Sequence, residues 1–274
     1  GSKLPAWFVP EGGTAKVVEG AADAPVWELL LLGLPESKFF AVLSLLSFHV
    51  GSHSVLFTRV LKILFCYVKL AVSRGGASTV PPAVLNYISG SLLPGLVLGG
   101  CNPSAATALW DILSLLPFHL RYRCYDAWKA VSSAAGPAKG PFSNSKAPKQ
   151  PSAAAVALEE ARSLHGAKQQ LKRLTKDNVK QIGRQLAKHT HQCPLTVFGH
   201  LLTQIESYEN LIPFVVESLK YTTELTRDCL GYSLVLALQK DQEGGGGSAK
   251  VKPGDTHAAQ WFASLTKFIG SFYR

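Results

Sequence analysis

This sequence predicts an all-α fold, an irregular α-solenoid of antiparallel helix pairs with about twelve helices. Three observations lead there. Apolar residues recur at helical spacing along most of the chain, no sustained period-2 alternation bounded by hairpin turns is present, and helix-length segments follow one another over short connections. Short connections force neighbouring helices to run antiparallel, so such a series stacks as hairpins instead of closing into one bundle. No clean repeat period is visible, which makes the repeats irregular.

The predicted helices run over 26–33, 36–49, 53–73, 82–93, 104–116, 118–132, 153–174, 176–190, 194–209, 211–222, 226–240 and 256–272. Their ends carry the expected chemistry. Ser52, Ser104, Thr175 and Thr226 are placed to cap, and Pro194 and Pro213 sit in first turns, where a missing N–H costs nothing. Two segments break the pattern. The stretch 132–155 is rich in Ala, Pro, Ser, Gly and Lys and reads as a flexible linker or surface loop. The stretch 243–251 contains Gly244-Gly245-Gly246-Gly247-Ser248, a loop with the look of an engineered replacement.

The domain reading follows from these breaks. Residues 1–25 form an N-terminal extension, 26–132 an N-terminal helical-repeat part, 133–155 the linker, and 156–274 a basic helical part. The chain has no methionine and opens on Gly1-Ser2, the remnant that a protease-cleaved tag leaves, so it reads as cut from something longer.

Composition excludes several classes. With 47% hydrophobic and 17% charged residues, the 274-residue chain has ample material for a core. The uncharged stretch 39–58 holds His49, Gly51, Ser52, His53 and Ser54 at its centre, and 75–110 is broken by Pro81, Pro82, Pro94, Gly99, Gly100 and Pro103. Neither offers the roughly 20 continuous apolar residues that a spanning helix needs, so no membrane is expected. The five cysteines, Cys66, Cys101, Cys124, Cys193 and Cys229, are scattered without a CxxC pair, which points to a reducing compartment. The run His189-Thr190-His191-Gln192-Cys193 has the wrong spacing for two ligands on one helical turn and no second ligand cluster, so it reads as a polar helix end and not a metal site.

Catalytic signatures are missing too. The sequence holds no GxxxxGK[ST], no GxGxxG after a strand, no HExxH and no GxSxG. His119 and His200 fall within amphipathic helices, where a satisfied histidine is the plain reading. No enzyme and no cofactor are expected.

The charge is informative because it is local. Between Arg162 and His189 stand eight Lys or Arg residues and one acid, Asp177, so most of the net +10 resides in this window. Lys168, Lys172, Lys176, Lys180, Arg184 and Lys188 recur every four residues, with Arg173 beside them. On a helix these positions lie nearly above one another, opposite Leu171, Leu174, Val179, Ile182 and Leu186. Like charges at this spacing repel by a few tenths of a kcal/mol per pair, which an anionic neighbour, RNA phosphate or an acidic protein surface, would relieve. A solvated outer face is the alternative. A second cluster, Phe118 to Lys129, interleaves aromatics with cations, among them Arg121, Tyr122 and Arg123. The same composition suits a packed helix with Tyr122, Tyr125 and Trp128 inward and Arg121 and Lys129 outward.

Taken in order, several pieces resemble one family. They are the run from Leu171 to Lys180, Arg184-Gln185-Leu186, His191, Pro194, Leu202, Gln204-Ile205, Tyr208, Asn210-Leu211-Ile212, Val216, Ser218 to Thr222, Leu225, Asp228, Leu230 and Tyr232. The stretch His119 to Lys129, a weaker piece at 52–63, and Trp261, Ser264-Leu265 and Phe268 extend the series. Together they resemble the family of the largest THO-complex subunit, loosely over 45–130 and well over 160–274, departing at 133–155 and at the Gly-Ser loop. The resemblance implies a nuclear scaffold with helical repeats of the HEAT or MIF4G kind. It also implies binding to other THO subunits and to a DEAD-box RNA helicase, within the larger TREX assembly that couples transcription and mRNA packaging to export. The part from 171 onward looks like the start of a MIF4G-like region. A direct RNA-binding module using the 162–188 stripe with Arg121, Tyr122 and Arg123 is the second reading.

Overall fold

The structure, a computed structural model, describes Phe40 and residues 43–100, 102–132, 154–239 and 259–274. The expected helix at 26–33, the first part of that at 36–49, most of the linker and the Gly-Ser loop lie outside these residues. The described residues form eleven α-helices and no strand. They are α1 (Ser54–Gly75), α2 (Pro82–Tyr87), α3 (Leu93–Leu98), α4 (Pro103–Leu113), α5 (Phe118–Ser132), α6 (Ala154–Lys172), α7 (Val179–Gln192), α8 (Pro194–Ser207), α9 (Ile212–Leu219), α10 (Glu224–Leu238) and α11 (Gln260–Phe272). A 3-10 helix, Ser47–Ser52, precedes α1. The chain is all-α and solenoid-like: α1 packs on α4, α6 on α7, α7 on α9, and α8 on α10 and α11.

Two departures from the expected boundaries have local causes. Pro94 was expected to end the helix that starts at Pro82, yet the helical path runs on to Leu98. A π-helical turn, Ile88–Leu92, lies just before it and puts Pro94 in the first turn of α3, where its missing N–H breaks nothing. The expected caps are also displaced. His53, not Ser52, caps α1 by accepting the Leu56 N–H at 3.4 Å. Asn102, not Ser104, caps α4 by accepting the Ala105 N–H at 3.2 Å, with Pro103 as the first helical residue. Thr223, not Thr226, precedes α10, and the two hydroxyls meet at 2.9 Å. In each case a nearby polar side chain has the extended backbone that a cap requires.

The N-terminal layers are closed by a glycine contact. A Cβ on Gly51 would lie 1.8 Å from the Gly95 carbonyl oxygen, so the turn 47–52 touches α3 backbone to backbone. Only glycine permits this approach.

The buried core is one continuous cluster from Phe40 to Phe268, drawing on helices from both sides of 133–153. Leu92, Leu93, Leu109 and Ile112 supply the first half, and Phe198, Leu201, Leu230, Leu265 and Phe268 the second; all are fully buried. Gln192 at the end of α7 donates its Nε2–H to the Val97 carbonyl of α3 at 2.9 Å. Among the described residues no helix is long and apolar enough to cross a membrane.

Candidate functional site

The aromatic–cationic helix α5 faces the core. Tyr125 and Trp128 are buried, Tyr122 is half-buried, and Lys129 points outward. Arg121 corrects the expectation for that face, because it turns inward. Its Nε and Nη2 donate to the two carboxylate oxygens of Asp228 on α10, at 2.8 and 3.0 Å, and its Nη1 donates to the Leu116 carbonyl at 2.7 Å. The guanidinium also lies over the Trp110 ring, 5.4 Å from its centre. Burial works against the Arg121 charge, and the Asp228 carboxylate outweighs it, holding the group above its ordinary value.

Tyr125 donates its hydroxyl to the same carboxylate at 2.7 Å, and Tyr232 donates to Asp126 at 3.1 Å. Tyr122, Tyr125 and Tyr232 pack ring against ring. Arg121 and Tyr122 therefore clamp α5 to α10. Arg123 is exposed beside them.

The basic residues do not form a stripe on one helix, as the four-residue spacing implied. α6 ends at Lys172 and α7 begins at Val179. Asn178 holds the turn between them: its Oδ1 accepts the Thr175 N–H at 2.8 Å and its Nδ2 donates to the Arg173 carbonyl at 2.7 Å. This Asn-held turn is also why Thr175 does not cap α7. Lys168 and Lys172 lie on α6, Arg173 and Lys176 in the turn, and Lys180, Arg184 and Lys188 on α7, all exposed.

On α7, Gly183 faces Ser218 of α9 and the Arg184 guanidinium sits 5.5 Å from the centre of the Tyr221 ring. Ile182, Leu186 and Ala187 are buried with Gly183 on the packed face, away from the Arg184 guanidinium.

On α6 the lysines border a groove of about 470 Å³ against α8. Lys168 and Lys172 line it from one side, and His200, Gln204, Tyr208 and Asn210 from the other. Leu171 and Leu211 complete its walls. The charge pattern marks the lysines but not the facing residues on α8 and in the turn that follows it. Their signal is a polar pair at 200 and 204, four apart on a helix whose other face, Leu201, Leu202 and Ile205, is buried, followed by Tyr208 just past the helix end. His200 is pushed below its ordinary value by burial and then by the Lys168 charge.

The polar end of α7 has structural duties. His191 Nε2 accepts the Thr223 N–H at 3.2 Å, and His189 Nδ1 lies 3.3 Å from the Ser163 hydroxyl on α6. Burial pushes the Cys193 thiol up to about 12, too high for a ready nucleophile. Cys66, Cys124, Cys193 and Cys229 are free thiols.

Comparison with known proteins gives this arrangement a family. The family model described as THO complex subunit 2 N-terminus matches residues 38–184, and the one described as transcription- and export-related complex subunit matches 186–266. The chain belongs to the THO complex subunit 2 family. It is 32% identical over 233 residues to THO complex subunit 2 of Homo sapiens, covering 82% of this chain and 13% of that protein. The Arabidopsis thaliana subunit is 34% identical over 199 residues, 73% of this chain and 10% of its own length. The Saccharomyces cerevisiae subunit is 25% identical over 186 residues, 68% and 10%. The chain thus spans about an eighth of the human subunit. Within the family segment, Arg121–Asp228 joins a residue of the first matched region to one of the second.

Proposed function

We propose that this segment is a non-catalytic scaffold of the THO complex in the nucleus. It holds other THO subunits and a DEAD-box RNA helicase by surface contacts during mRNA packaging and export. The observation that carries this reading is the match of two consecutive THO subunit 2 regions over 38–184 and 186–266. The chemistry of the surface supports it. The exposed cations Lys180, Arg184 and Lys188 project from a helix whose other side is packed, the layout of a docking face for an acidic partner. The most reactive-looking residues, Cys193, His189 and His191, serve packing and helix junctions. No cofactor enters the scheme.

Capture of individual THO subunits and of the helicase by the immobilised chain tests the proposal. At least one is expected to bind, and Lys180→Glu, Arg184→Glu and Lys188→Glu together are expected to weaken helicase capture. Failure of every subunit and of the helicase to bind would refute the scaffold reading.

A further inference from the structure

We propose that the groove between α6 and α8 is a cleft for single-stranded RNA. In it Lys168 and Lys172 hold the phosphate backbone and the exposed ring of Tyr208 stacks a base. The proposal stands on the groove's own geometry and does not rest on the scaffold reading.

The first argument is uncompensated charge. The groove is lined by two lysines and no acid, and neither lysine has an ion-pair partner among the described residues. The neighbouring groove between α9 and α11 differs. There Lys220 pairs with Glu217, and Lys267 with Glu209. The chain neutralises lysines where they line one groove and leaves them bare in the other. A site of unpaired lysines with one face open is complementary to a polyanion.

The second argument is the ring. Tyr208 is 57% exposed although it is a large aromatic residue at the end of a helix with one buried face. Its backbone N–H is anchored on the Gln204 carbonyl at 2.8 Å, so the ring is presented from a fixed point. An exposed aromatic beside cations is the pairing that single-stranded nucleic acid uses, base on ring and phosphate on lysine.

The third is the set of uncharged polar groups. Gln204 and Asn210 present amides, each with donors and an acceptor, toward the same space. Amides match base edges, which need both, better than they match carboxylates, which only accept. The lysines serve as point charges that suit phosphate and carboxylate alike, so the amides and the exposed ring of Tyr208 decide between the two. RNA is therefore favoured over an acidic protein segment. The groove, at about 470 Å³ and open to solvent, fits backbone-tracking contact of low sequence preference.

Fluorescence anisotropy of a labelled oligouridine titrated with the whole chain, over a series of salt concentrations, tests this. All altered side chains are exposed, and thermal melts followed by circular dichroism verify folding. Lys168→Gln with Lys172→Gln is expected to reduce the slope of log affinity against log salt by about 1.4, two contacts at roughly 0.7 each on a single strand. Tyr208→Ala is expected to lower affinity about tenfold with the slope unchanged, and Tyr208→Phe to retain it. Lys180→Gln with Lys188→Gln, on α7, is expected to change the affinity less than the α6 pair does. The proposal is overturned if the native chain does not bind the oligouridine, if the α6 pair leaves the slope intact, or if Tyr208→Ala binds as the native chain does. Binding of a labelled oligoglutamate through both lysines, without RNA binding, would assign the groove to an acidic protein segment and overturn it equally.

Discussion

Removing the Asp228 carboxylate is expected to destabilise the chain more than any surface change, because it strands a buried cation. The Arg121 and Asp228 side chains are only 17% and 13% exposed. Breaking a buried pair from one side costs about 3–5 kcal/mol, and the residual exposure here places Asp228→Ala near 3 kcal/mol. The Tyr125 hydroxyl also loses its acceptor, which adds about 1 kcal/mol. For a chain of this size the total corresponds to a fall in Tm of roughly 8–16 °C. Asp228→Asn keeps an acceptor for Tyr125 and loses only the charge, so its cost should be about half. Arg121→Met combined with Asp228→Leu should recover much of the loss, since an apolar pair leaves no orphaned charge. Urea unfolding followed by circular dichroism measures all three. If Asp228→Ala shifts stability by less than about 0.5 kcal/mol, the pair is solvated and the clamp between α5 and α10 does not exist as described.

Other consequences are equally open to measurement. Gly51→Ala should cost about 3 kcal/mol, the upper end for overpacking, because its Cβ meets the Gly95 backbone. Gly199→Ala, with nothing within 4 Å, should stabilise α8 by up to about 1 kcal/mol; thermal melts of both variants check the contrast. His189 and His191 are both held below the ordinary histidine value, chiefly by burial, so the fold favours their neutral forms. Their contribution is full above pH about 6.5 and declines as pH falls toward the depressed folded values. Urea midpoints at pH 5.5 should lie below those at pH 7.5, with the gap narrowed in His191→Gln; equal midpoints would contradict this sign. A protease site placed within 133–153 should give two fragments that stay together on gel filtration, because α3 packs on α6 and α10 on α4 and α5. Separate elution would show that these contacts do not hold the halves.

Helix existence was legible because each element carries its own apolar period, as at Val60, Leu61, Leu64 and Val68 of α1. Helix ends were less so. Which polar residue sits at the cap depends on which one has an extended backbone, as His53, Asn102 and Thr223 do. The same limit affected the basic stripe. A spacing of four was read as one surface, but Asn178 ties the chain into a turn, and the residues part onto two helices. Arg121 was placed outward because arginine usually is, and its partner, Asp228, lies 107 residues along the chain. The groove residues on and just after α8 carry a polar spacing of their own, but that spacing names no partner. Nothing in the local pattern says that His200 and Tyr208 face Lys168 and Lys172; only the packing of α6 on α8 brings them together.

The family boundary and the physical one fall in different places. The two family regions meet between 184 and 186, inside α7, which runs unbroken from Val179 to Gln192. A helix cannot end there without exposing Leu186 and Ala187 and losing the His191 contact to Thr223. The N-terminal half of α7 also packs through Gly183 on Ser218, a residue of the second region, while its last residue, Gln192, reaches Val97 in the first. Each region therefore completes the other's core, and a fragment that stops at 184 keeps the cationic start of α7 without the packing that orients it. Any partner of Lys180 and Arg184 is bound by a surface that both regions build. Boundaries for dissecting this segment are better drawn from burial than from the seam between family models.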